Sequence, residues 1–427
     1  MPPCPAPAGP RSGLRRYLAT AFCARLAEEG MAVAVALLAV QRAGSAAQGA
    51  FVLTAWMAPH VVAAPLVGAL ATRMRHPRLG HLGALGGFAG SIVALSVLLG
   101  RAPTPLTLAV AAAGGCCGPV VSGGLSGLVA VLLPDGPPRD RAYALDAAVY
   151  NAASVAGPAV AGAGAALASP GAALLLLGGV AALAVALAAG LPYERPRGLA
   201  DAAPATTLRA DLAAGLTAVW RTRELRAITA AGCLAFIGIG GLTTTAVLLT
   251  AHRGHPGAGG ALMTAFAVGA LLGSLAVARW RPPLSDQRLA ALSLCGTGLA
   301  LGAAALIPAP AAGAALFVVA GGFDGPLLTA TFRIRAGHAR PDVRTQVFTL
   351  GAGLKITAAS CGATLVGVAA ALPPPLLLLA IAAAQLAAAL LYMLTRPRPE
   401  GGGTRRGPAL PDTAKGAGTR PAPFTGR

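Results

Sequence analysis

Residues 139–162 read RDRAYALDAAVYNAASVAGPAVAG, and residues 344–367 read RTQVFTLGAGLKITAASCGATLVG. The two stretches align without a gap at an offset of 205 residues, so that Gly157 matches Gly362. Each is an apolar run of about the length that crosses a lipid bilayer as a helix. Similarity at a spacing of about half the chain is typical of membrane proteins built from two parallel repeats.

The composition of the chain indicates that most of it lies in lipid. Of its 427 residues, 56% are hydrophobic and only 11% are charged, which is more apolar than a soluble domain requires for its core. The formal charge of +19 would suit a nucleic-acid partner, but the basic residues stand in short clusters between apolar runs instead of along one stripe. We therefore expect a lipid bilayer, and no nucleic acid, around the protein.

Counting the apolar runs that can form a helix of about 20 residues gives twelve membrane spans. Their predicted limits are 17–40, 47–71, 80–100, 105–133, 142–168, 171–192, 227–250, 258–278, 289–307, 311–332, 346–371 and 375–395. The predicted fold class is an all-α integral membrane protein with twelve transmembrane helices in two pseudo-symmetric six-helix bundles.

The basic residues also predict the orientation of these spans. If the N-terminus lies inside, every cytoplasmic loop carries Arg residues, whereas the opposite side receives only Arg42, Arg101 and Arg253. A missed or additional span would place the later clusters on the wrong side. We expect a multi-pass protein with both termini in the cytoplasm.

The chain divides into five regions. Residues 1–13 and 396–427 contain almost nothing to bury and are predicted to be disordered and cytoplasmic. Residues 14–192 and 227–395 are the two predicted bundles. The central cytoplasmic loop, 193–226, contains the amphipathic stretch LRADLAAGLTAVWRTRELRA, which predicts a helix on the inner membrane surface.

Charges at mid-depth in the spans are the strongest functional signal, because a charge at the bilayer centre is costly unless it faces a cavity or a partner. Arg25, Glu28 and Glu29 share one face of span 1 and are expected to neutralise one another, either as a structural group or with a surplus carboxylate for proton coupling. Asp324 on span 10 and Lys355 on span 11 are expected to pair across the helix contact, either as a fixed ion pair or within the coupling site.

Four further polar residues accompany these charges. His60 either relays protons or bonds to a helix carbonyl. Asp146, Tyr150 and Asn151 form one stripe on span 5, in which Asp146 is a candidate gate residue and Asn151 a candidate substrate or helix contact. Spans 3, 6, 9 and 12 hold no Asp, Glu, Lys or Arg within their predicted limits, which predicts that they face lipid.

Span 5 contains a local motif, GPAVAG, formed by Gly157, Pro158 and Gly162 with the residues between them. Gly-Pro pairs in membrane helices produce kinks, and small residues allow neighbouring helices to approach closely.

The loop after span 2 provides a second motif, GALATRMRHPR, with Gly68 at its start. Its Arg73 and Arg75 match Arg279 and Arg281 after span 8 at an offset of 206 residues. An Arg after a span also anchors topology by itself.

With twelve spans, a central loop, two matching halves and these motifs, the chain resembles the major facilitator superfamily, and its bacterial efflux members in particular. The resemblance implies that the Gly-Pro motif bends span 5 and permits close helix contact, and that the loop residues belong to the inner gate. The family's acidic residue in this loop is replaced here by Thr72.

The resemblance implies a secondary active transporter in a bacterial cytoplasmic membrane. We expect proton-coupled export of a small amphipathic molecule, such as a drug or a secondary metabolite, by alternating access within a monomer. The alternatives are an importer of a small metabolite and a non-transporting sensor or scaffold of the same fold, which the change at Thr72 favours mildly. The sequence has no nucleotide-binding loop of the form G-x-x-x-x-G-K-[ST] and no metal-like spacing of His or Cys, so no enzyme activity, cofactor or metal is expected.

Overall fold

The computed structural model describes residues 10–44, 46–74, 76–191, 207–255 and 258–396. Helices make up almost all of this described part. The first half consists of α1 (Pro10–Ala43), α2 (Ala46–Met57), α3 (His60–Arg73), α4 (Pro77–Leu98), α5 (Thr104–Pro119), α6 (Leu125–Leu132), α7 (Pro137–Leu167) and α8 (Pro170–Ala189). The second half consists of α9 (Leu208–Arg221), α10 (Arg223–Gly240), α11 (Leu242–His252), α12 (Gly259–Trp280), α13 (Asp286–Leu306), α14 (Pro310–His338), α15 (Arg344–Val368) and α16 (Pro374–Thr395).

Three of the twelve spans consist of two helices each, for local reasons that the sequence supplies. Span 2 comprises α2 and α3, which are separated at Pro59, a residue without a backbone N–H. Span 7 comprises α10 and α11, which are separated at Gly241. Span 4 comprises α5 and α6, joined by a π-helical turn in which the N–H of Leu125 donates to the carbonyl of Val120. Every other span is a single helix.

Ten helical spans in the described residues are long and apolar enough to cross a membrane. The other two predicted spans, α1 and α7, are 34 and 31 residues long. Charged side chains lower the hydropathy of both helices. Among these side chains, Arg25 of α1 and Asp146 of α7 form an ion pair inside the first half. Together these helices form the twelve-span membrane fold.

The two halves pack in the same pattern, displaced by six spans. Span 1 packs on spans 5 and 6, and span 3 packs on span 6; correspondingly, span 7 packs on spans 11 and 12, and span 9 packs on span 12. The halves meet where span 5 packs on span 8 and where span 11 packs on span 2. Spans 3, 6, 9 and 12 pack chiefly within their own half, and they are therefore the peripheral helices.

Equivalent arginines cap equivalent helices at one end of the two bundles. Arg42, at the end of α1, donates hydrogen bonds of 2.7 and 3.2 Å to carbonyls at the end of α4. Arg253, just after α11, donates bonds of 2.9 and 3.0 Å to carbonyls at the end of α13. The last carbonyls of a helix lack intrahelical partners, so these bonds satisfy them. Arg42 and Arg253, two of the three arginines predicted on the side opposite the basic loops, therefore stabilise helix ends.

Residues related by the offset of 205 touch each other across the molecule. The rings of Tyr143 and Phe348 stack at 6.0 Å. The ammonium of Lys355 lies 4.7 Å from the ring centroid of Tyr150. Two residues exchanged by a two-fold axis can be in contact only near that axis, so the pseudo-symmetry axis of the two halves runs between spans 5 and 11.

Three predicted boundaries were placed too far into the membrane, by five to seven residues. Span 1 was expected to begin at residue 17, but α1 begins at Pro10. Span 10 was expected to end at residue 332, but α14 continues to His338, and α7 begins at Pro137, ahead of the predicted 142. The amphipathic helix of the central loop is α9. The prediction of disorder for residues 1–13 is wrong for residues 10–13, which are the first residues of α1. Residues 1–9, residues 397–427 and most of the loop before α9 fall outside the described residues.

Candidate functional site

A cavity of about 770 Å³ lies between the two halves. Side chains of spans 1, 4, 5, 7, 8, 10 and 11 line it, chiefly as stripes at helical spacing. The cavity extends from Gly260, at the start of α12, down to Arg335, near the end of α14. Its position on the axis makes it the candidate site for a small molecule.

The cavity is closed at the end of the bundles where α9 lies, which we call the α9 end. There Phe348 of α15 stacks on Tyr143 of α7, and Phe332 of α14 lies 5.9 and 6.2 Å from these two rings. Beside them, Arg333 donates hydrogen bonds of 2.8 and 3.1 Å to the carbonyl of Asp140. We call this set of contacts the aromatic seal, because it joins span 5 of the first half to spans 10 and 11 of the second.

Close backbone approach completes the closure between spans 2 and 11. A Cβ atom at Gly68 would lie 2.7 Å from the Cα of Gln346 and 2.5 Å from the hydroxyl of Thr349. A Cβ atom at Gly215 of α9 would likewise meet the Gln346 side chain. Glycine at both positions therefore lets α3 and α9 close over the start of α15.

Arg25 does not pair with Glu28 and Glu29 as expected. Its guanidinium lies 2.8 Å from the carboxylate of Asp146, and both side chains are fully buried. Tyr17 and Ser126 donate hydrogen bonds of 2.8 and 2.6 Å to the same carboxylate. Asp146 is thus the buried partner of Arg25 and not a gate residue at the membrane edge, because the early start of α7 carries it deeper than predicted.

In the described part of the chain, no arginine lies within ion-pair distance of the two glutamates of span 1. Glu29 lines the cavity. The carboxylate of Glu28 lies 4.0 Å from Nε2 of His60, and the other ring nitrogen of His60 is 3.2 Å from the carbonyl of Trp56. His60 therefore bonds to a helix carbonyl, one of its two expected roles, while its second nitrogen faces Glu28.

Lys355 stands between two aromatic rings at mid-depth. Its ammonium lies 4.7 Å from the ring centroid of Tyr150 and 4.3 Å from that of Phe236. Its charge interacts with Asp324 and Glu29, but in the described part of the chain no carboxylate comes within ion-pair distance of it. The expected direct pair with Asp324 is therefore replaced by cation–π contacts, with both acids facing the same cavity.

Tyr150 connects the buried ion pair with the cavity. The guanidinium carbon of Arg25 lies 5.2 Å from the centroid of the Tyr150 ring. The ammonium of Lys355 lies 4.7 Å from the same centroid. Asn151, the next residue, donates a hydrogen bond of 2.8 Å to Ser274 and one of 3.2 Å to the carbonyl of Ala270. Asn151 is thus a contact between spans 5 and 8 that also lines the cavity.

Comparison with known proteins identifies the family to which this fold belongs. The family model of the Major Facilitator Superfamily matches residues 17–311. The chain belongs to this superfamily. A search of curated proteins found no match. Membership in the superfamily and its transporter neighbours indicate a transporter rather than an enzyme.

Solved structures of low sequence identity share the fold. A bacterial homologue of the iron transporter ferroportin, in an outward-facing state, has a TM-score of 0.73 at 15% identity, covering 90% of this chain and 98% of that one. The Escherichia coli fucose:proton symporter FucP has a TM-score of 0.68 at 12% identity, with 92% and 100% covered. The human organic anion transporter MFSD10 has a TM-score of 0.67 at 18% identity, with 91% and 99% covered.

Part of the superfamily Gly-Pro motif makes the close contact that the resemblance implied. A Cβ atom at Gly157 would lie 2.7 Å from the backbone nitrogen of Gly30 and 2.8 Å from the carbonyl oxygen of Leu26. Pro158 lines the cavity. Gly162, in contrast, has open space where its Cβ would be, so its expected role in helix packing is wrong. Gly162 lies three residues beyond Ala159, the last residue of α7 that lines the cavity, and is partly exposed.

The superfamily loop residues are only partly within the described chain. Arg75 and the side chain of Arg73 lie outside the described residues. Arg281 donates a hydrogen bond of 3.0 Å to the carbonyl of Pro137 at the start of α7, which adds a contact between the halves at the α9 end. Arg279 is exposed.

Sequence reasoning missed most of the residues that line the cavity, among them Phe236 and Arg335. Phe236 of α10 was one apolar residue among many and carried no signal. Arg335 was counted as a topology anchor because span 10 was expected to end before it. It lies eleven residues after Asp324, which is close to three full helical turns; this spacing would have placed both on one stripe of a longer helix. Among the described residues, no group of three His, Cys, Asp or Glu is placed to bind a metal.

Proposed function

We propose that the protein is a secondary active transporter that exports a small amphipathic molecule in exchange for protons. The observation that carries this proposal is the cavity on the pseudo-symmetry axis, closed at the α9 end, with Glu29, Asp324 and Lys355 facing it. Ionisable groups at this depth are costly in a membrane protein and mark substrate or proton pathways. The mostly apolar lining with a few polar groups suits an amphipathic solute.

Alternating access is supported by where the halves touch. The aromatic seal and the contacts of Gly68 close one end, whereas the lining reaches the helix ends on the opposite side at Gly260. Rocking of one half against the other about spans 2 and 11, and 5 and 8, breaks the seal and exposes the cavity to the α9 end. We assign that end to the cytoplasm because the basic loops belong to it. The described conformation is then the outward-open one.

The coupling groups in this proposal are Glu28, Glu29 and Asp324. Arg25 pairs with Asp146, so no arginine in the described residues lies within ion-pair distance of either glutamate, although the charge of Arg25 acts on both. A carboxylate without a fixed cation in a low-dielectric site favours its neutral form and exchanges protons with water that enters the cavity. Protons entering on these groups from the outside and leaving inside would drive export.

The direction of transport rests on the Gly-Pro motif at Gly157 and Pro158, which resembles that of efflux members. The neighbours of known structure include a proton symporter and an organic anion transporter by name, so they support transport as such. We propose that the protein lies in a bacterial cytoplasmic membrane with both termini inside. We also propose that it acts as a monomer, because one chain encloses the cavity.

The test is flux in proteoliposomes. The substrate is first found by an accumulation or resistance screen in a host that lacks its own exporters. We expect the response of flux to a pH gradient to be abolished, with normal folding of the protein, in each of three variants: Glu28→Gln, Glu29→Gln and Asp324→Asn. Glu224→Gln is the matched control, because Glu224 is buried in α10 and meets Gln287 outside the cavity.

Each outcome separates the candidate functions. Full gradient-driven flux in all three cavity variants contradicts the coupling role. Accumulation that follows the proton gradient inward indicates the importer. If no solute from the screen moves under any gradient, the sensor or scaffold replaces the transporter.

A further inference from the structure

Arg335 is a buried cation without a counter-charge at the floor of the cavity. The residue is 7% exposed and lines the cavity. Its Nε is fully buried and finds no hydrogen-bond partner among the described residues. A guanidinium carries five N–H donors and stays charged, so a site that buries it usually provides acceptors.

Two other arginines in the described chain, one buried and one partly buried, show how this protein satisfies such groups. Arg25 has a carboxylate and the Ser126 hydroxyl. Arg333, two residues before Arg335, bonds to the carbonyl of Asp140 and lies 3.4 Å from the carboxylate of Asp286. Arg335 has no such ion pair in the described residues. The guanidinium of Arg335 thus has no carboxylate partner in the described residues, and it lines a cavity from which an acceptor can reach it.

The neighbouring helix is shaped around this guanidinium. A Cβ atom at Gly351 would collide with the guanidinium group of Arg335. Glycine at this position in α15 therefore leaves the room in which the planar group lies. Cys233 of α10 lies close enough for the two charges to interact when the thiol is ionised.

The charges around the cavity are separated by depth. Asp324 lies eleven residues before Arg335 on α14, about 16 Å along the helix axis. Lys355 lies one turn beyond Gly351 on α15, and its charge interacts with that of Arg335. The floor of the cavity is thus cationic, and the acids lie above it.

We propose that Arg335 binds an anionic group of the transported molecule, a carboxylate, sulfonate or phosphate, at the floor of the cavity. The planar guanidinium suits two parallel hydrogen bonds to such a group. The apolar part of the molecule lies against Phe236 and Leu327 above it. This inference rests on the proposed transport function, and it narrows the substrate to an amphipathic anion.

Cys233 provides a direct readout of the charge at the floor. In a variant of the full chain that keeps Cys233 as its only cysteine, the rates of modification by an anionic and a cationic methanethiosulfonate, MTSES and MTSET, are measured in detergent without a gradient. Arg335→Gln is expected to lower the ratio of the anionic to the cationic rate by about tenfold or more, because a unit charge acts in opposite senses on the two reagents. Arg335→Lys is expected to retain the ratio.

The control is Arg288→Gln, which removes an exposed arginine of α13 outside the cavity, and it is expected to leave the ratio unchanged. Gly351→Ala displaces the guanidinium without removing its charge and is expected to weaken anion binding while the protein folds. A ratio that is the same in Arg335→Gln and the parent overturns the proposal.

Binding is tested with matched probes. Saturating 1-naphthoate, naphthalene-1-sulfonate or 1-naphthyl phosphate is expected to slow the labelling of Cys233 in the parent and in Arg335→Lys but not in Arg335→Gln, and the uncharged 1-naphthamide is expected to have no effect. Equal protection by the amide, or no protection by any of the three anions, refutes the anion site.

Flux separates this inference from the function on which it rests. Protection by an anion without flux in proteoliposomes contradicts transport and leaves the site intact. Equal flux of 1-naphthoate and 1-naphthamide contradicts the site and leaves transport intact.

Discussion

Replacing Phe348 by Leu should shift the protein from the conformation sealed at the α9 end towards one open at that end. Phe348 is fully buried, and its ring contacts Tyr143 at 6.0 Å and Phe332 at 5.9 Å. Only the contact with Tyr143 joins the two halves, since Phe332 and Phe348 both belong to the second half. Leucine keeps an apolar side chain at the position and removes the ring.

The size of the shift can be worked from the ring pair of Phe348 and Tyr143, which joins the two halves. An aromatic pair contributes about 0.5–1.5 kcal/mol beyond the area it buries, so losing this pair destabilises the sealed state by about 0.5–1.5 kcal/mol. That difference changes the ratio of sealed to unsealed molecules by about 2- to 13-fold. Phe317→Leu is the matched control, because Phe317 is equally buried but lies in the core of the second half.

The assay is double electron–electron resonance in lipid nanodiscs. Spin labels are placed at Leu79 in α4 and at Arg340 after α14, two exposed positions in opposite halves at the α9 end. Phe348→Leu should increase the population at longer distances, and Phe317→Leu should not. If both variants give the distance distribution of the parent protein, the aromatic seal does not hold the halves together.

Two further changes test the buried contacts of the first half. Asp146→Asn should lower the stability of the protein by about 3–5 kcal/mol, since it leaves Arg25 charged and unpaired. In a thermal unfolding assay, the double variant with Arg25→Met should recover much of this loss. Equal melting temperatures of the single variant and the parent would contradict this expectation. Gly157→Ala should destabilise the protein or reduce flux, because the new Cβ meets backbone atoms of α1 that cannot rotate away. Gly162→Ala should be neutral, because its Cβ would meet nothing. The same loss in both variants would show that the contact of Gly157 is not the cause.

The membrane fold was accessible from the sequence because its signals are long and redundant. Apolar length gave the spans, and the repeat of 139–162 in 344–367 gave the two halves. The same alignment contains the pairs that meet at the axis, including Tyr150 with Lys355. Hydropathy does not report the breaks within spans 2, 4 and 7, because a broken span is as apolar as a continuous one.

The partners of the charges were not accessible in the same way. Spacing along one helix suggested Arg25 with Glu28 and Glu29, but the buried carboxylate of Asp146 comes from another helix and also receives two hydroxyl groups. Which helices touch, and at what depth, depends on packing that a single sequence does not specify. Arg335 was missed for a related reason, because α14 continues past the point where hydropathy falls.

The π-helical turn between α5 and α6 resets the angular phase of span 4. In a regular α-helix, residues four apart lie on one face, so the hydroxyls of Ser122 and Ser126 would point the same way. The wider turn accommodates one residue more and rotates the rest of the span by about 100°. Ser122 accordingly borders the cavity, while Ser126 bonds to Asp146 at 2.6 Å. The wider turn thus lets one helix address two separate polar centres, whereas the same sequence in a regular α-helix would direct both hydroxyls to one side.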